Sequence, residues 1–176
     1  MNFSIIAAMH HSNRAIGTTD NKIPWSCIED MRFFRKLTMQ TTDPNKVNAI
    51  IMGSTTWTSL GCKPLPNRLN VILSRNMSWM ERSVPENVTI CSSIDEALHK
   101  LSSYSLVESV FVIGGQNVYE QALEHPRCIR IYLNKILSPL NAQCKTFFPV
   151  VDHNKYELLE SNNYDTYVQQ LFIRKI

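Results

Sequence analysis

Val110-Phe111-Val112-Ile113-Gly114-Gly115-Gln116-Asn117-Val118-Tyr119 is the stretch on which the fold turns. Four apolar, strand-favouring residues run into two glycines, and a helical pattern follows. This reads as a buried strand, a tight turn and a helix. The same unit recurs outward along the chain. Apolar runs at 3–9, 47–52, 69–73, 88–91 and 129–136 read as further strands, with 110–113 the one already quoted. Helical patterns lie between several of them. The first follows Trp25, where Ser26 and Glu29 have capping-box spacing and Met31, Phe33, Phe34 and Leu37 recur near a helical period. A second starts at Ser54–Thr56, a third covers 94–101 behind Ser93 and Glu96, and a fourth follows Gly114-Gly115. Alternating strands and helices imply an α/β fold with a mainly parallel central sheet and helices on both faces. The tail differs. Residues 156–160, a turn at Ser161-Asn162-Asn163, and residues 164–173 read as an antiparallel C-terminal hairpin added to the sheet.

The chain has 176 residues, which suits a single domain over 1–176. Its formal charge of +3 is spread over single residues, so a nucleic-acid partner is not expected. The five cysteines form no CxxC pair, which argues against zinc and against any other metal site. Their odd number, with no basic stretch before the short apolar run at 3–9, favours a reducing compartment, and we expect a cytoplasmic protein. No segment reaches bilayer-spanning length, so no membrane partner is expected.

In an open α/β sheet, ligands bind beyond the carboxyl ends of the strands. After residues 110–113, Gly114 and Gly115 let a ligand approach the backbone, and a helix opening there presents free N–H groups to a pyrophosphate. Alone, this glycine pair suits an unliganded tight turn equally well. After residues 47–52 come Gly53-Ser54-Thr55-Thr56, again glycine followed by hydroxyls; capping is the plainer reading. After residues 69–73 come Ser74 and Arg75, an arginine placed either in solvent or on a phosphate. Three such strand ends in one chain say more than any one.

Residues 15–25 form a polar, glycine-containing segment suited to a covering loop. Asp30 follows in the first turn of the helix, on the face of Phe34 and Leu37. The plainer reading is an acid complementing the helix dipole. The sharper one is a buried carboxylate that takes two hydrogen bonds from the N–H and NH₂ edge of an aminopyrimidinone ring.

At this point the motifs match a known family. Ile16-Gly17, Ile23-Pro24-Trp25, Glu29-Asp30-Met31 and Phe33-Phe34 resemble the dihydrofolate reductase signature. So do Ile51-Met52-Gly53 with Thr56-Trp57, Pro64-Leu65-Pro66-Asn67-Arg68 through Ser74-Arg75, Ile113-Gly114-Gly115 with Val118-Tyr119, and Thr146-Phe147-Phe148-Pro149. The matches run in order to about residue 149, and the C-terminal hairpin fits the family fold.

The resemblance implies an NADPH-dependent oxidoreductase that reduces dihydrofolate, binds antifolate-type small molecules and acts as a monomer. Asp30 would hold the pterin's 2-amino group and N3–H, with Trp25 holding a water beside it. Ile6, Ala7, Met31, Phe34, Leu65 and Ile113 would line the pterin pocket. Arg68 would pair with the α-carboxylate of the substrate's glutamate. Ala8, Ile16, Gly17, Gly53, Ser54, Thr55 and Thr56 would bind the cofactor. So would Ser74, Arg75, Ile113, Gly114, Gly115, Gln116, Asn117, Val118 and Tyr119. Tyr119 would also act in catalysis by stabilising charge near both rings. The glycine pair would flank a cis peptide.

The sequence also departs from the family pattern. Ser54, Thr55 and Asn117 stand where basic residues commonly grip cofactor phosphates, which leaves Arg75 as the main candidate for the 2′-phosphate. Asn134 stands in the pterin pocket where a threonine usually bonds the carboxylate. Lys145 replaces an acid before Thr146-Phe147-Phe148-Pro149. His10 and His11 fall in an extended loop and read as solvated. Two competing readings are a pyrimidine reductase of riboflavin synthesis, which would not need the Trp25–Asp30 pocket or Arg68, and a catalytically idle folate or nucleotide binder.

Overall fold

The computed structural model describes residues 1–76, 78 and 84–176. Among these residues an eight-stranded sheet carries the fold. Its strands are β1 (Phe3–His10), β3 (Val47–Gly53), β4 (Leu69–Leu73), β5 (Val88–Cys91), β6 (Val107–Val112), β7 (Cys128–Ile136), β9 (Tyr156–Asn163) and β10 (Tyr167–Arg174). They lie in the order β5-β4-β3-β6-β1-β7-β10-β9. From β5 to β7 all neighbours pair in parallel, and β10 runs antiparallel to both β7 and β9. This is the mainly parallel sheet with an antiparallel C-terminal hairpin that the sequence predicts.

Strand β3 shows why the sheet is buried on both faces. Ala49 and Ile51 join one hydrophobic cluster, and Ile50 and Met52 join the other. The alternation follows the two-residue period of a strand. Helix α1 (Ile28–Met39) sends Phe33, Phe34 and Leu37 to the second cluster, together with Trp57 of α2 (Ser54–Ser59). Helices α3 (Ile94–Ser102) and α4 (Gln116–Glu124) bury Ala97, Leu98, Val118 and Ala122 in the first. Asn48 joins α1 to the sheet. Its Nδ2 donates to the carbonyls of Thr38 and Gln40 at 3.0 and 2.8 Å, and its Oδ1 accepts from the Ser109 amide.

Several local expectations change. The Ser26–Glu29 capping box does not form: Cys27 is the N-cap residue and no side chain caps α1. The Glu29 carboxylate instead faces Cys27 Sγ and Thr166 Oγ1. Neither Ser54 nor Thr55 caps α2, whose N-cap residue is Gly53. The hairpin turn lies three residues later than composition suggested, because the exposed strand β9 keeps pairing with β10 through Asn163. Part of the polar segment 15–25 is ordered as β2 (Ala15–Thr18), which pairs antiparallel with β8 (Cys144–Phe147) in a separate two-stranded sheet. His10 is buried rather than solvated; its ring nitrogens meet Ser12 Oγ at 2.7 Å and the Ser138 carbonyl at 2.8 Å. His11 is exposed.

Candidate active site

The carboxyl ends of β1, β6, β3, β4 and β5 open into one cleft of about 1390 Å³. It runs from α1, beside β1, outward to Ser74 and Arg75 after β4 and Ser92 after β5.

The inner end holds the carboxylate. Asp30 sits in the first turn of α1 and is only 8% exposed, although it lines the cleft. Its Oδ1 accepts a hydrogen bond from Asn134 Nδ2 at 2.8 Å. Burial pushes the Asp30 carboxyl above its ordinary range, and the Asn134 bond opposes part of that rise. Asn134 lies on β7 beside Ala8 of β1 and is itself 1% exposed. It stands behind Asp30 and does not line the cleft, so the expectation of a direct pocket contact is corrected to a contact through Asp30. The amide donates to the carboxylate from the place where the family pattern has a threonine hydroxyl. Trp25 borders the cleft and packs with Cys27, Ile136 and Tyr167.

The middle of the cleft is built by the glycines. The Gly114–Gly115 peptide is cis. Gly114 has φ +121°, and a Cβ there would lie 3.2 Å from the Tyr119 ring, so both conformation and space select glycine. Tyr119 folds back from α4, and its hydroxyl lies 3.0 Å from the Ile6 carbonyl and 2.8 Å from that of Ile113. Burial holds this phenol well above its ordinary range, and the nearby Asp30 charge adds to the effect. Helix α4 starts after Gly115 with no side-chain cap, so its first amides and its positive dipole end face the cleft. An uncapped helix start between two glycines and the hydroxyls of Thr55 and Thr56 suits a pyrophosphate.

One rim is cationic. Arg68 Nε donates to the Pro66 carbonyl at 3.0 Å, and a terminal nitrogen donates to Thr38 Oγ1 at 2.9 Å. Thr38 is fully buried and donates in turn to the Phe34 carbonyl at 2.8 Å. The guanidinium is therefore held in place. Burial, followed by the charge of Arg35, lowers its pKa. Among the described residues no carboxylate pairs with Arg32, Arg35 or Arg68.

A family model described as dihydrofolate reductase matches residues 2–172. The chain belongs to the dihydrofolate reductase family. A dihydrofolate reductase of Drosophila melanogaster is 33% identical over 172 residues, covering 97% of this chain and 91% of that protein. One from Heliothis virescens is 36% identical over 150 residues, covering 84% of this chain and 80% of the other. A bifunctional dihydrofolate reductase-thymidylate synthase of Zea mays is 43% identical over 168 residues, covering 89% of this chain. The chain spans about a third (32%) of that longer relative.

The family implies a nucleotide cofactor, and the structure brings the expected residues together. Ile6, Ala7, Met31, Phe34, Leu65 and Ile113 border the inner cleft with Asp30 and Arg68. Ala8, Ile16 and Gly17 border it from the β1–β2 side. Gly53 to Thr56, Ser74, Arg75 and Gly114 to Tyr119 border the rest. Arg32, Arg35, Ser92 and Thr146 also line the cleft and were not singled out from the sequence. Arg35 lies one helical turn past Met31 on α1, a spacing that would have found it. Thr146 had no such signal, because it reaches the cleft through the β2–β8 pairing. Lys145 is exposed on β8. No helix among the described residues is long and apolar enough to cross a membrane.

Proposed function

We propose that this cleft reduces 7,8-dihydrofolate to tetrahydrofolate with NADPH, serving one-carbon and thymidylate metabolism. The observation that carries the reading is one cleft holding both a buried, amide-bonded carboxylate and an uncapped helix start between glycines. When bound, the nicotinamide supplies the hydride.

Asp30 takes the pterin's N–H and NH₂ edge, fixes the ring's orientation and raises its basicity. Asn134 keeps that carboxylate oriented from behind. Trp25 holds a water beside it, and water is the source of the proton for the pterin ring nitrogen. Tyr119 spends its hydroxyl proton on backbone carbonyls, so it would present a fixed dipole to the inner cleft. Arg68, braced by Thr38, takes the α-carboxylate of the glutamate. Arg75 takes the 2′-phosphate. The segment around β2 shields the reacting atoms from bulk water. The protein's share is proximity and electrostatics. Antifolates that present the same edge bind in the same pocket.

We propose that it acts as a monomer, and five free cysteines support a reducing compartment such as the cytoplasm. The test mixes protein, dihydrofolate and NADPH and follows loss of absorbance at the nicotinamide band. Turnover is expected. Tight folate binding without turnover would favour the idle binder, and turnover only with a ribosylaminopyrimidine would favour the riboflavin-pathway reductase.

A further inference from the structure

We propose that the outer end of the cleft, at Ser74, Arg75 and Ser92, accepts a free ribose 2′-hydroxyl as well as a 2′-phosphate, so that the protein binds NADH alongside NADPH with only modest discrimination. The inference rests on the reading that the cleft holds a nicotinamide dinucleotide.

The strand order sets the direction. The inner cleft at β1 and α1 holds Asp30, and the uncapped start of α4 follows β6. A dinucleotide with its pyrophosphate at α4 and its nicotinamide inward has its adenosine half over β4 and β5. Ser74, Arg75 and Ser92 line the cleft there.

Hydrogen-bond polarity then decides what this end prefers. Glu96 Oε2 accepts from the Ser92 amide at 2.6 Å and from Ser92 Oγ at 2.7 Å. These bonds hold the Glu96 carboxyl down at about 2, so it is an anionic acceptor at any working pH. Ser92 has therefore spent both its protons, and at the cleft that it lines its hydroxyl oxygen can serve only as an acceptor. Phosphate oxygens are also acceptors and gain nothing from it, whereas a ribose hydroxyl has a proton to give. Ser74 Oγ accepts from the Asn76 amide at 3.1 Å and keeps its own proton, which suits either group.

Charge gives the same answer. Lys100 pairs with Glu96 Oε1 at 3.0 Å, so the two add no net charge. Among the described residues, Arg75 is then the cation that lines this end. In dinucleotide sites an acid near the ribose accompanies a 2′-hydroxyl, and an arginine accommodates a 2′-phosphate. Here Arg75 and the Glu96-anchored Ser92 occupy one site. A single charge-assisted contact is worth about ten- to a hundredfold in affinity, and that bounds the preference for NADPH.

The test measures dissociation constants of NADPH and NADH for the whole chain by nicotinamide fluorescence, with turnover of dihydrofolate measured beside them. Both should bind, NADPH tighter by no more than about a hundredfold. Arg75→Ala should move the ratio about ten- to a hundredfold toward NADH. Glu96→Ala returns two donors to Ser92 and should move the ratio toward NADPH. Ser92→Ala, which leaves the start of α3 intact, removes the acceptor and should also move it toward NADPH. An NADH that does not bind, or a ratio that neither Arg75→Ala nor Ser92→Ala changes, overturns the proposal. If NADPH supports turnover while NADH fails to bind, only this inference falls. If neither cofactor binds, the reductase reading falls with it.

Discussion

Asp30→Asn separates what the buried carboxylate does for chemistry from what it costs the fold. The side chain is 8% exposed, and one hydrogen bond from Asn134 at 2.8 Å only partly offsets its lost hydration. Its folded pKa is therefore raised. A raised pKa means that the folded state binds the proton more tightly than the unfolded chain. The fold bears no ionisation cost at low pH. The cost appears as pH rises from the ordinary aspartate range through the folded pKa, and it is complete above it. Asparagine cannot ionise, yet it still offers an oxygen to Asn134 Nδ2. Asp30→Asn should accordingly stabilise the ligand-free protein by about 1 kcal/mol near pH 8, a Tm rise of about 2–4 °C for a chain of this size. The gain should vanish near pH 3, where the wild-type carboxyl is neutral in both states. Turnover should move the other way and fall about a hundredfold or more, because the pterin loses its anionic partner. Thermal unfolding across pH checks the first half, and the rate of dihydrofolate turnover checks the second. A variant that is less stable than wild type near pH 8, or one that turns over dihydrofolate at a near-normal rate, would refute the reasoning.

Other substitutions test separate parts of the account. Arg68→Ala should raise KM for dihydrofolate about ten- to a hundredfold with kcat little changed, and should leave a pterin without a glutamate tail unaffected; steady-state kinetics on both substrates decides it. Gly17→Ala places a Cβ 2.3 Å from Thr146 Oγ1, so it should cost about 1–3 kcal/mol by denaturant unfolding, most of it recovered in the Gly17→Ala, Thr146→Ala double variant. Asn48→Ala strips three hydrogen bonds that join α1, β3 and β6, and should cost about 2–4 kcal/mol in the same assay.

The parallel sheet was legible because its strands are buried on both faces and so read as continuous apolar runs. The site was legible where glycine, hydroxyl or charge follows such a run, as at Gly53, Ser74 and Gly114. Helical phase put Asp30 on the core-facing side of α1, but only the family resemblance gave it a role in the site. The β2–β8 pair was not. Ala15–Thr18 and Cys144–Phe147 are four residues each, carry little apolar pattern, and meet across most of the chain. The hairpin turn was misplaced because β9 is an exposed edge strand, and polar Asn162 and Asn163 look like turn residues there. His10 looked solvated because its partner, the Ser138 carbonyl, lies 128 positions away. Thr38, which braces Arg68, gave no signal in a helix of mixed character. What the sequence hid in each case is a contact between segments, and short local patterns carry no record of those.

The most direct measurement is the stoichiometry of turnover. Purified protein is supplied with dihydrofolate and a limiting amount of NADPH, and the pterin product is identified and counted. The account predicts one tetrahydrofolate for each NADPH oxidised, with product forming about a hundredfold or more slowly in Asp30→Asn. NADPH oxidation without tetrahydrofolate, or product formation at a near-normal rate in Asp30→Asn, would contradict it.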